Sequence, residues 1–199
     1  MTVTFRRLAA LALGVVTLAS CAGDVPTAAA PRLTSSGPAT SLTGTLLGAT
    51  TSLLAMDGLQ RTTPLAAPIT VSKAIGSAGG TLSIPAAGVT VVVPKGALRS
   101  TTTITMTARA GSLVAYDFAP HGITFVKPLQ FKQQLKGTNA SLLTAPLLSL
   151  GYYSDAGLLT QTGGLVSELL GGVVDVLTWS FKSSIPHFSG YIVTCGRRL

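Results

Sequence analysis

The chain has 199 residues, 47% of them hydrophobic and only 10% charged, with a formal net charge of +8. That length allows one domain, or one domain with tails, and the composition excludes wholesale disorder, which requires low hydrophobicity and high charge. Twenty-two glycines and eleven prolines favour a turn-rich, all-β chain, and basic residues scattered without interleaved aromatics exclude a nucleic-acid surface.

The N-terminus reads as an address. Arg6-Arg7 precede an apolar run from Leu8 to Leu18, which falls short of the ~20 residues needed to cross a bilayer. Leu18-Ala19-Ser20-Cys21 follows, with the small residues that a signal peptidase accepts. This tetrapeptide resembles the bacterial lipobox. The resemblance implies a lipoprotein signal peptide over 1–20, cleaved before Cys21, with diacylglycerol on the Cys21 thiol. Each buried CH₂ of an acyl chain contributes about 0.8 kcal/mol, and two or more chains anchor stably. Ala22 stands where an Asp would retain such a protein at an inner membrane, which favours the outer membrane of the cell envelope. The alternative is an ordinary secretory signal with an incidental cysteine.

Residues 21–64 are rich in Ala, Thr, Ser, Gly, Pro and Leu, with Pro26, Pro31, Pro38 and Pro64 among them. They read as a flexible, lipid-anchored tether. Within this stretch, Leu42 to Leu59 reads as spacer, or as a short helix with Leu46, Leu47, Leu53 and Leu54 on one side. Gly44 and Gly48 weaken the helix.

From Leu65 to Leu199 the pattern is that of an antiparallel β-sandwich. Ile69, Val71 and Lys73 begin an edge-like strand, and Gly79-Gly80 turn into a strand bearing Leu82 and Ile84. Val89, Val91 and Val93 share a face, and Val93-Pro94-Lys95-Gly96 fits a tight turn. Thr103, Thr105 and Thr107 alternate with Ile104, Met106 and Ala108, a half-buried strand. Tyr116 and Phe118 form another, and Pro120-His121-Gly122 turns the chain. Ile123 and Phe125 are expected to pair with Leu129 and Phe131 across a Lys127-Pro128 break. Leu147 to Tyr153 is a strand. Leu158 to Val174 is ambiguous, since Leu165, Val166, Leu169 and Leu170 have helical spacing, and glycines at 163–164 and 171–172 limit any helix to two turns. Val176 to Ile185 and Ser189 to Val193 complete the sheets. Turn signals every 8 to 12 residues are those of a sandwich.

Gly79-Gly80-Thr81-Leu82, Gly88-Val89 to Pro94-Lys95-Gly96-Ala97-Leu98, Phe118-Ala119-Pro120-His121-Gly122 to Phe125 and Pro128, and finally His187-Phe188-Ser189-Gly190-Tyr191 together resemble the ZU-five domain of zonula occludens scaffolds, netrin receptors and ankyrins. The resemblance implies a β-sandwich used for protein–protein contact and not for metabolic chemistry. Some members of that family cut themselves between Phe and Ser of the His-Phe-Ser triplet. Carried over, this implies attack of Ser189 Oγ on the Phe188 carbonyl, with His187 as base, and hydrolysis of the resulting ester. The alternative is structural, with Phe188 in the core and His187 and Ser189 satisfying polar groups.

Elsewhere the chain is poor in reactive constellations. His121 reads as a turn residue. Two His and one Cys beyond Cys21 make no metal site, and the six acids have no paired or calcium-loop spacing. No cofactor is expected. Cys195 reads as a small, half-buried residue ending the last strand, or as a thiol bridging two chains. The expected function is a lipid-anchored envelope module that binds or scaffolds an unidentified envelope protein. The alternatives are a self-cleaving domain and an envelope carbohydrate binder, the last depending on Trp179 and a few Tyr for exposed aromatic surface.

Overall fold

The structure is a computed structural model that describes residues 52–198. The expected signal peptide, Cys21 and the expected tether up to residue 51 lie outside the described residues. Fifteen strands and three single 3₁₀ turns make up the rest: β1 (Leu54–Gly58), β2 (Gln60–Leu65), β3 (Ile69–Ile75), β4 (Gly80–Ile84), β5 (Val89–Val93), β6 (Thr102–Ala108), β7 (Gly111–Leu113), β8 (Ala115–Ala119), β9 (Thr124–Gln134), β10 (Ser149–Tyr153), β11 (Gly163–Val166), β12 (Glu168–Leu170), β13 (Gly172–Asp175), β14 (Ser180–His187) and β15 (Gly190–Arg197). One sheet runs β11-β1-β15-β8-β6-β3, with β10 beside β15 and β12 beside β10. The second runs β13-β14-β9-β5-β4, and β2 pairs with β7. The strands pair antiparallel throughout.

Alternation dictates the layering. Ile104, Met106 and Ala108 of β6 are buried, as are Val89, Val91 and Val93 of β5, because side chains two apart on a strand share a face. Leu129, Phe131, Phe181 and Ile185 belong to the same sheet as the β5 valines and lie across the core from β6. Burying a side chain of this size contributes about 1.5–3 kcal/mol each. The opposite face of β3 and β6 carries a hydroxyl ladder, with Thr70 and Thr107 2.9 Å apart and Ser72 and Thr105 2.8 Å apart. The turn after β5 begins one residue later than its sequence suggests. Ala97 N–H donates to the Pro94 carbonyl at 3.0 Å, and Gly96 takes the left-handed conformation at φ 76°, which a third turn position of this kind reserves for glycine.

Five expectations are corrected. The tether does not extend to residue 64, because β1 and β2 belong to the sandwich: β1 pairs with β15 and β11, and Met56, Leu59 and Arg61 are buried. Ile123 and Phe125 do not fold back on Leu129 and Phe131, because Thr124 to Gln134 is one continuous strand between β14 and β5. Pro128 fits an extended backbone and merely lacks a donor, and the β14 register shifts beside it, between Ile185 and His187. Leu158 to Val174 contains no α-helix. It holds a 3₁₀ turn followed by β11, β12 and most of β13. The expected strand Val176 to Ile185 is half loop, since β14 starts at Ser180 and residues 176–179 turn the hairpin from β13. Cys195 is also deeper than a half-buried strand end. It is 4% exposed within the main core.

Candidate functional site

His187, Phe188 and Ser189 connect β14 to β15, the strand about which the larger sheet is built. β15 pairs with β10 along Gly190–Tyr153 to Thr194–Ser149, with β8 from Gly190 to Ile192, and with β1 from Thr194 to Arg197. The connection is short because the two strands lie in different sheets, and Phe188 fills the space between them. Its ring stacks on Phe118 at 5.6 Å and meets the edge of Phe125 at 4.6 Å. Aromatic pairs in these geometries add to the area they bury.

The flanking polar side chains point to different neighbours. The Ser189 hydroxyl is buried and donates to the Tyr153 carbonyl at 3.3 Å. The His187 ring lies on the other side, with Nε2 3.4 Å from Glu168 Oε2 and Nδ1 3.3 Å from the Tyr191 hydroxyl. Tyr191 also donates to the His187 carbonyl at 2.8 Å, and the Tyr152 ring meets the imidazole edge-on at 5.1 Å. No hydrogen bond joins His187 to Ser189 among the described residues. A general base must reach the proton it removes, and in this arrangement the His187 ring and the Ser189 hydroxyl are engaged with different partners.

The neighbouring tyrosines hold their protons. Burial pushes the Tyr153 phenol well above its ordinary range, and the Asp117 carboxylate, which accepts its hydrogen bond at 2.8 Å, pushes it further. Burial, then the charge of Glu168, does the same to Tyr191. Asp117 also pairs with Arg109 at 2.8 Å. Burial alone would lower Arg109, and the bond and charge of Asp117 raise it overall.

Three tyrosines, 116, 153 and 191, are buried, and Trp179 is partly buried against the core. Tyr152 is half-buried like Trp179, so both keep part of their surface outside the sandwich. No cluster of three or more His, Cys, Asp or Glu able to hold a metal occurs among the described residues, and no described helix is long and apolar enough to cross a membrane. His121 lies exposed in the turn before Gly122, whose φ is 80°.

Sequence reasoning passed over two features. One is a buried polar cluster of Arg61, Tyr116 and Gln133 beside a cavity of about 410 Å³. Arg61 was hidden in a stretch that reads as tether. The other is exposed apolar surface around β13: Val173, Val176 and Leu177 with Leu142, Leu143 and Leu147. Leu177 is 95% exposed, and a charge-poor loop gives no periodic signal of its own.

The sequence from 71 to 112 matches the family model of the ZU5 domain. No curated protein sequence matches the chain. The matched stretch runs from β3 into β7 and contains the Gly79-Gly80-Thr81-Leu82 and Pro94-Lys95-Gly96-Ala97-Leu98 segments. Such a domain is in general a non-enzymatic protein–protein interaction module. The chain is thus an antiparallel all-β sandwich in which residues 71–112 are similar to the ZU5 domain.

Proposed function

We propose that the chain is a bacterial lipoprotein whose ZU5-type sandwich binds or scaffolds an envelope protein while lipid on Cys21 holds it at the membrane. The observation that carries this reading is the ZU5 match over residues 71–112, because the domain is an interaction module. The edge of the smaller sheet supports it. β13 pairs with β14 alone, and Val173, Val176 and Leu177 stand exposed beside it. An edge strand offers unpaired backbone N–H and C=O groups to an added strand, with apolar side chains as anchors. The partner that suits this edge is an extended segment with alternating apolar residues. In an envelope with two membranes, Ala22 after the acylated cysteine directs the protein to the outer one.

Two experiments test the proposal. A photo-crosslinking amino acid at Val173 in living cells is expected to give one discrete adduct, and the same group at Thr107 on the opposite sheet none. Absence of an adduct from both faces would overturn the binding reading. For the anchor, Cys21→Ser is expected to abolish incorporation of labelled palmitate, and a variant that still carries the label would end the lipoprotein assignment.

A further inference from the structure

Arg61 is 6% exposed, yet none of the four ion pairs among the described residues includes it. Its guanidinium is held from one side. Nη1 donates to the Leu113 carbonyl and, at 3.4 Å, to that of Gly111. Nη2 has only a 3.4 Å bond to the Tyr116 hydroxyl, and Nε is buried with no acceptor. Nε–H is therefore left without an acceptor, and the guanidinium carbon lies over the neutral Tyr116 ring, 5.7 Å from its centroid. A buried positive charge without a counter-charge is costly, and nothing in the surrounding network supplies one. The Tyr116 phenol donates to Gln133 Oε1, and Gln133 Nε2 donates to the Ala87 carbonyl at 3.1 Å. Burial pushes that phenol up to about 12, against the lowering effect of Arg61, so it stays neutral at physiological pH.

Arg61 lines the cavity of about 410 Å³ between β2, the Pro85–Ala87 turn and the loop after β9. Lys136 lines it as well, exposed and in no ion pair. No Asp or Glu is present in the lining, and Thr138 and Gln134 add neutral polar groups. We propose that this cavity binds a carboxylate, drawn by the uncompensated charge of Arg61 in its lining, with Lys136 at the mouth. The carboxylate comes either from a protein, as an acidic side chain or C-terminus, or from a small organic acid. The site lies apart from the β13 edge and does not depend on it.

Thermal unfolding and calorimetric titration of the purified full chain test this at constant ionic strength. The probes are acetate, inorganic phosphate, and a tetrapeptide with a free or an amidated C-terminus, with chloride as the control. A carboxylate that binds the native state raises the midpoint in a saturable way. Acetate or the free-acid peptide is expected to do so where chloride does not. Lys136→Gln, on the surface, is expected to weaken binding by about threefold to tenfold without changing the unliganded midpoint. Arg61→Gln is expected to abolish binding if it folds. A free-acid peptide that binds more tightly than acetate, and loses binding on amidation, identifies a protein carboxylate. Equal binding of acetate identifies a small acid. Midpoint shifts no larger than those in chloride, saturable binding of phosphate without carboxylate, or undiminished binding by Lys136→Gln would overturn the proposal.

Discussion

At the scale of single residues, Phe188 and its neighbours divide the labour in a way that measurements can separate. Phe188 is 2% exposed and in ring contact with Phe118 and Phe125. Truncating a buried aromatic loses its transfer free energy and leaves a cavity, so Phe188→Ala is expected to lower stability by about 3–5 kcal/mol, read from urea unfolding. Ser189→Ala removes one long hydrogen bond to the Tyr153 carbonyl and is expected to cost no more than about 1 kcal/mol. Because Ser189 Oγ and the His187 ring are engaged with different partners, the purified chain is expected to remain whole. Intact mass should show one species ending at Leu199. A fragment beginning at Ser189, lost in Ser189→Ala, would show that the residues reach each other in a conformation other than this one.

At the scale of elements, the first two strands decide where the domain begins. Leu59 is 0% exposed, and its N–H and carbonyl bond to Val193 and Val114. If residues 54–64 were tether, Leu59→Ala would change nothing. As part of the core it is expected to cost about 2–5 kcal/mol, and chemical denaturation of the variant distinguishes the two. Strands with clean alternation were legible in the sequence, β5 and β6 above all, since one face of each is apolar and the other carries Thr. The segment Leu158–Val174 was not. Its strands are three or four residues long, too short for a period of 2 to be told from one of 3.6. Of its glycines, which suggest helix boundaries, Gly163 and Gly172 mark close approaches of backbone instead, whereas Gly171 faces open space. A Cβ on Gly163 would stand 2.0 Å from the Met56 carbonyl, so Gly163→Ala is expected to separate β11 from β1 and lower the unfolding midpoint. Arg61 and Gln133, the polar heart of the carboxylate cavity, escaped for a related reason. A single charged or amide side chain on a short strand reads as a surface residue until the neighbouring strands close over it.

At the scale of the whole molecule, the sandwich encloses few ionisable groups, and three of them are tyrosines. Tyr116, Tyr153 and Tyr191 are 0%, 2% and 0% exposed, and burial is the first cause of the upward shift in each. The sign of the resulting pH dependence follows from proton binding. In the unfolded chain a tyrosine loses its proton near 10, whereas folded Tyr116 keeps it up to about 12. Between these values the unfolded state binds fewer protons than the folded one, so stability falls as pH rises. The contribution of Tyr116 is fully present below pH ~10 and declines by about 1.4 kcal/mol per pH unit above it, up to its folded value. Tyr153 and Tyr191, shifted in the same direction, steepen the decline and extend it to higher pH. The sandwich is therefore expected to keep a constant urea midpoint from pH 7 to 9 and to lose stability steeply above pH 10. Phenolate absorbance from Tyr116, Tyr153 and Tyr191 is expected to appear together with unfolding and not before it. Tyr116→Phe, which removes the titration but leaves the ring between Arg61 and Phe131, is expected to make the alkaline slope shallower. Phenolate absorbance rising to three equivalents in a chain that remains folded would show that these hydroxyls are open to solvent.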